Sequence, residues 1–241
     1  MELTERQVQL LKIIIDEYIK TAKPVGSINL VEKQGLRVSS ATVRNEMARL
    51  IKEGYLSQPH TSAGRIPTTL GIRYYVNYLL PEEELPVLKE VGIKQRLWQE
   101  RVEVDKLLRQ AALSLAENSE YFAVVSAGPG RLYSAGAVNL LEHPEFFDID
   151  VAKACLRLAD HEDDLNALLN RAKEEKEVRT LIGQETDLEK MKDCALVFSP
   201  FTSPKYSGSI VVIGPARLNY SKVIPLVRYF RSLLSEISQG W

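Results

Sequence analysis

Two patterns along the 241-residue chain predict an α+β protein. In the first third, three short amphipathic helices with tight turns precede a short strand and a loop rich in glycine, proline and small polar residues, the layout of a winged helix-turn-helix. Beyond residue 120, short apolar runs of strand composition alternate with helical stretches, which fits an α/β domain with a central antiparallel sheet flanked by helices.

The elements follow in order. Thr4 to Lys20 places Val8, Leu11, Ile15 and Tyr18 on one face, with Thr4 as N-cap and Pro24 as stop. Ser27 caps a short helix through Val31, closed by Gly35. Ser39 or Ser40 caps the next helix, with Val43, Met47, Leu50 and Ile51 inward and Gly54 at its end. Tyr55 to Gln58 has strand composition. Pro59 to Pro67 is a loop whose backbone Gly64 and two prolines control, and it carries Arg65 at its tip. Thr68 or Thr69 caps a helix through Leu80, and its Tyr74, Tyr75 and Tyr78 read as packing between domains.

Further on, Ile93 to Asn118 reads as one long amphipathic helix that links domains or pairs with a symmetry mate. Strands are expected at Tyr121–Ala127, Leu132–Leu140, Val178–Ile182, Ala195–Ser199 and Ser209–Ile213, and helices at Asp163–Lys176 and Ser221–Ile237. The chain thus divides into a winged-helix domain over 1–80, a helical linker or dimerisation helix over 81–120, and an α/β domain over 121–241.

Charge separates the two ends. Residues 1–80 hold 11 Lys and Arg against 7 Asp and Glu, whereas the whole chain holds 31 against 32. A local basic surface on an otherwise acidic protein suits a phosphate backbone. On the third helix the outward residues near the N-terminus include Thr42, Arg44 and Asn45, with Arg49 a turn on. Arg can pair bidentately with guanine, Asn with adenine, and Thr can offer a methyl to thymine. Ser39 and Ser40, with the helix N-terminus, suit a phosphate. His60, Thr61, Ser62 and Arg65 form the loop that would reach backbone or minor groove, although His60 alone reads more simply as a turn residue.

Other classes find less support. Gly128-Pro129-Gly130-Arg131 lacks the Lys-Ser/Thr of a phosphate loop, and His143 and His161 near acidic residues give no nucleophile–base order. Cys155 and Cys194 lie far apart in sequence, without metal-ligand spacing, and read as small buried apolar residues. No metal, cofactor or enzymatic activity is expected. The apolar runs are too short for a bilayer helix and the N-terminus has no export signal, so a cytoplasmic protein is expected. A ligand-sensing regulator and a protein-interaction module remain the alternatives to DNA reading.

The segments PVGS (24–27), SSATVRNEMARL (39–50) and GYLSQPHTSAGRIPT (54–68) resemble the bacterial heat-inducible transcription repressor family, HrcA. The resemblance resumes at LEHPEFFDI (141–149), LIGQE (181–185), MKDCALVFSPF (191–201) and GSIVVIGPARLNYSKVIPLVRYF (208–230). It implies a winged-helix domain joined to a GAF-like regulatory domain, a homodimer that represses chaperone operons from an inverted-repeat operator on double-stranded DNA, and a GroEL-type chaperonin as corepressor. The family's inserted subdomain, which contributes to dimerisation, lies between the strand at 121–127 and HPEFFDI. Only Gly128 to Leu140 bridges that interval here, so the sequence reads as a shortened member.

Overall fold

The computed structural model describes residues 3–34, 39–60, 63–172 and 176–240, and the chain separates into two compact units, Met1–Pro81 and Glu82–Trp241.

The first unit opens with α1 (Glu5–Thr21), α2 (Ser27–Gln34) and α3 (Ser40–Lys52). Thr4 and Gln7 close a reciprocal cap at the start of α1: the Thr4 hydroxyl accepts from the Gln7 amide at 3.3 Å, and the Thr4 amide donates to the Gln7 side chain at 2.9 Å. The buried face of α1 is Leu10, Leu11, Ile14 and Ile15, wider than the single row expected, because the helix packs against several elements at once. These residues meet Leu30 of α2 and Val43, Met47 and Leu50 of α3 in one apolar cluster. A hairpin follows, with β1 (Leu56–Ser57) antiparallel to β2 (Ile66–Pro67), and then α4 (Thr69–Tyr74), which widens into a π turn through Leu79. Thr68 caps α4 and its hydroxyl donates to the Gly54 carbonyl at 2.6 Å, tying the start of α4 to the end of α3. Tyr75 departs from expectation. Tyr75 is buried in the first unit's own core, where its hydroxyl donates to Asp16 at 2.7 Å, and Tyr78 is exposed.

The second unit begins with α5 (Val87–Gln99) and α6 (Val104–Ser119), so the single long helix expected over 93–118 is two helices broken at 100–103. Nor is it a free linker: α6 buries Leu107, Leu108, Ala111, Ala112 and Leu115 in this unit. The sheet comprises β3 (Phe122–Ala127), β4 (Leu132–Ala135), β5 (Arg179–Ile182), β6 (Cys194–Thr202) and β7 (Ser207–Pro215), all antiparallel, in the order β4-β3-β7-β6-β5. Its registers include Val124 opposite Val211 and Val211 opposite Phe198. One face presents Phe122, Val124, Leu196, Phe198, Val211 and Ile213 to a core shared with α8 (Ile149–Arg157) and α9 (Glu162–Leu169). The central strands β3, β6 and β7 also pack against α6 or α10 (Tyr220–Ile237). Burial on both faces explains why a run such as SIVVIG is continuously apolar and does not alternate.

Two further expectations are corrected. The strand expected over 132–140 stops at Ala135, because Gly136 turns left-handed (φ 76°) with its α-carbon packed against the Tyr121 carbonyl, and α7 (Ala137–Leu140) follows. The helix expected over 163–176 ends at Leu169, with residues 173–175 outside the described set. The two cysteines are buried, as expected, and although distant in sequence they lie side by side in the core with sulfurs 3.7 Å apart. Their mutual hydrogen bond and burial push the Cys194 thiol far above its ordinary pKa, which leaves it a protonated, inert group.

Candidate nucleic-acid interface

The exposed side of α3 is built by its cap and its period. Ser39 has extended backbone and accepts from the Thr42 amide at 3.1 Å, while its hydroxyl and that of Thr42 lie 2.9 Å apart. Ser39 is therefore the cap and Ser40 the first helical residue. With Val43, Met47 and Leu50 buried, the 3.6-residue repeat turns Ala41, Arg44, Asn45, Ala48 and Arg49 to solvent. Small residues alternate with long polar ones on this face, so a partner backbone can approach closely while Arg44 and Asn45 reach out. Arg49 is itself exposed and lies 3.3 Å from the largely buried carboxylate of Glu46.

The hairpin sits after α3, and the spacing of its motif has a clear cause. Gly64 and Arg65 lie against Pro24 and Val25: the Val25 amide donates to the Arg65 carbonyl at 2.8 Å and the Arg65 amide returns to Val25 at 2.9 Å. A β-carbon on Gly64 would fall 2.6 Å from the Val25 backbone, so only glycine fits. Val25 and Arg65, forty residues apart in sequence, are thus joined by an antiparallel bridge beside the hairpin. Arg65 consequently stands at the base of the hairpin, not at its tip as the sequence suggested, and one guanidinium nitrogen donates to the Ala63 carbonyl at 2.8 Å. The Ala63 amide closes a turn on the His60 carbonyl at 2.9 Å, which leaves His60 exposed there. Thr61 and Ser62 lie outside the described residues. Ser39, Thr42, Arg44, Asn45 and Arg49 share one face of α3, and the described part of the hairpin contributes His60 and Arg65.

The second unit holds a polar cluster that sequence spacing could not reveal. Arg217 makes a two-pronged pair with Glu145, at 2.6 and 3.1 Å, and donates to His143 Nδ1 at 3.4 Å. The ring of His143 stacks on Tyr121, centroids 5.3 Å apart, with its Nε2 buried and unpaired. Burial, and then the Arg217 charge, hold His143 below its ordinary pKa. The stretches HPEFF and GPAR are therefore stapled together. Among the described residues no group of three or more His, Cys, Asp and Glu is placed to hold a metal ion, and no helix is long and apolar enough to cross a membrane.

Comparison with known proteins bears on both units. The family profile for the HrcA protein C terminal domain matches residues 72–224, more than half of the chain. The chain belongs to the HrcA family. Among its relatives, the heat-inducible transcription repressor HrcA of Acetivibrio thermocellus is 28% identical, covering 98% of this chain and 96% of the relative. Its counterpart in Desulforudis audaxviator is also 28% identical, with 98% of each covered. The Acetivibrio alignment runs over 338 positions against the 241 residues present here, so that HrcA carries segments with no counterpart in this chain. A crystal structure described only as a hypothetical protein shares the fold, with a TM-score of 0.82 at 20% identity over 99% of both chains.

Proposed function

We propose that the chain is a transcriptional repressor of heat-shock operons whose first unit, residues 1–80, is a winged helix-turn-helix. In this reading α3 enters the major groove of double-stranded DNA and the hairpin follows the flanking backbone. The observation that carries it is the outward face of α3, capped by Ser39 and holding Thr42, Arg44, Asn45 and Arg49 clear of the core. Asn45 and Arg44 read base edges, whereas Ser39, Ser40 and Thr42 bind phosphate with the helix N-terminus. Arg65, His60, Thr61 and Ser62 supply the wing. The operator is an inverted repeat, which requires two copies on one face of the duplex at whole-turn separation. Residues 121–241 form a GAF-like regulatory domain, and a GroEL-type chaperonin returns the unfolded repressor to its active form.

A metabolite-sensing role for the second domain has less to support it. The cleft among Lys89, Asn118, Asn219, Lys222 and Leu226 has a volume of about 270 Å³ and that among Trp98, Val102, Tyr206 and Ile237 about 580 Å³, and both lie wide open to solvent, unlike a cavity that encloses a ligand.

The reading is tested by fluorescence anisotropy with the upstream region of the organism's own chaperonin operon, with and without chaperonin. Tight binding that resists unrelated competitor DNA is expected, with recovery of heated repressor improved by chaperonin. Equal affinity for every duplex at moderate salt would sink it.

A further inference from the structure

Two thiols in contact are a chemical group as well as a packing pair. Cys155 lies on α8 and Cys194 opens β6, thirty-nine residues further along the chain, and the core holds their sulfurs 3.7 Å apart with neither residue exposed. A disulfide brings two sulfurs to about 2.05 Å, so the gap to close is roughly 1.7 Å. Small rotations about the two Cα–Cβ bonds and a slight settling of α8 suffice for that.

The cover over this pair is thin. Of its nine residues α8 buries only Ala152 and Cys155, both small, while Val151, Ala154 and Leu156 are partly covered and Ile149 is exposed. By contrast α10, which also packs on the sheet, buries nine residues along its length. A second tie joins α8 to the segment just before β6, the pair of Asp150 with Lys190 at 3.2 Å, and both of its side chains are more than half exposed. Such a pair adds little stability. A short helix held in this way belongs to the part of a structure that opens first on warming.

We propose that Cys155 and Cys194 form a disulfide site, oxidised by a small-molecule disulfide when α8 opens, and that the new bond fastens α8 to the sheet. The site is independent of what the first unit binds. In the closed state both sulfurs are out of reach, and their mutual hydrogen bond and burial keep Cys194 protonated. Opening removes both protections. One cysteine then loses its proton to water, and its sulfur attacks the small disulfide, releasing one small thiolate and leaving a mixed disulfide on the protein. The other cysteine, deprotonated in turn, attacks the protein sulfur of that bond and expels the second small thiolate. Two protons and two electrons leave the protein, and the small disulfide becomes two thiols. Because the second sulfur is already alongside, ring closure outruns capture of another reagent molecule. The bond ties residues thirty-nine apart, which restricts the unfolded chain and so favours the folded second unit. Warming admits the oxidant, and the product resists the opening that admitted it.

Full-length protein treated with oxidised glutathione tests the site, once well below its melting temperature and once during brief warming to just beneath it. Intact mass and a non-reducing peptide map follow each treatment. The warmed sample is expected to lose the mass of two hydrogens and to yield a peptide joining Cys155 to Cys194, while the cool sample stays reduced. Its melting temperature is expected to rise by about 5–15 °C and to return to the starting value with dithiothreitol. Cys155→Ala is expected to stop at the mixed disulfide, with one glutathione on Cys194 and no such rise. Warmed protein that stays reduced, carries glutathione on both thiols or cross-links between molecules overturns the site. Equal cross-linking in the cool sample overturns the gating by α8, and a cross-link that leaves the melt unmoved overturns its fastening role. The reversal by dithiothreitol is read on the wild type, so the test is complete even if the Cys155→Ala chain does not fold.

Discussion

Helices α3 and α5 are both thirteen residues long and both bury one face, yet they offer solvent opposite chemistries. The outward side of α3 is small and polar, with Thr42, Arg44, Asn45 and Arg49. That of α5 is Leu88, Val91 and Trp98. A polar face is stable in water without a partner, so it can wait for DNA. An apolar face is the costlier of the two to leave in water. The lesson is that the buried half of each helix reports the fold, whereas the exposed half reports what the molecule meets.

Substitutions along α3 test that division. The largest effect is expected from Met47→Ala on the buried side, which should lower the stability of the first unit by about 2–5 kcal/mol in urea titrations. A loss below half a kcal/mol would mean that this side is not a packed core. Asn45→Ala, two residues away on the open side, should leave the urea midpoint unchanged and reduce discrimination at one operator base pair by about 1–3 kcal/mol. An equal drop on all sequences would reassign Asn45 to phosphate. Arg65→Ala is expected to weaken every duplex alike and to reduce the slope of log affinity against log salt by about 0.9. An unaltered slope would leave Arg65 as a hairpin brace bonded to Ala63, with no part in the contact.

The smallest effect concerns the second unit and pH. His143 titrates below its ordinary value of 6.5 in the folded chain, so unfolding takes up a proton between the folded value and 6.5. Stability conferred by this neutral ring is complete above that window and falls as pH drops through it. His143→Gln should therefore flatten the fall in melting temperature between neutral and mildly acidic buffer. Superimposable curves for variant and wild type would remove His143 from the pH response.

Much of the first unit was legible because its determinants are local. Caps such as Thr4 with Gln7 and Ser39 with Thr42 lie within three residues of their partners, and the inward rows of α1 and α3 follow a single period. The strands β3, β6 and β7 were also legible, since long apolar runs have few other fates. What escaped depends on residues far apart. The break between α5 and α6 carries no proline or glycine, and the outward apolar row of α5 was folded into the reading of one long helix. Arg65 was expected at a tip because its pairing with Val25 spans forty residues. The joining of Arg217 to Glu145, and of Cys155 to Cys194, likewise needs the finished sheet to bring the partners together.

The paired thiols under α8 make the second unit its own thermometer. Sealed and protonated, they are beyond the reach of an alkylating reagent until that packing parts. Each molecule tagged during a brief warming therefore records one opening of its interior, and the tally after cooling would tell how close to melting this protein lives.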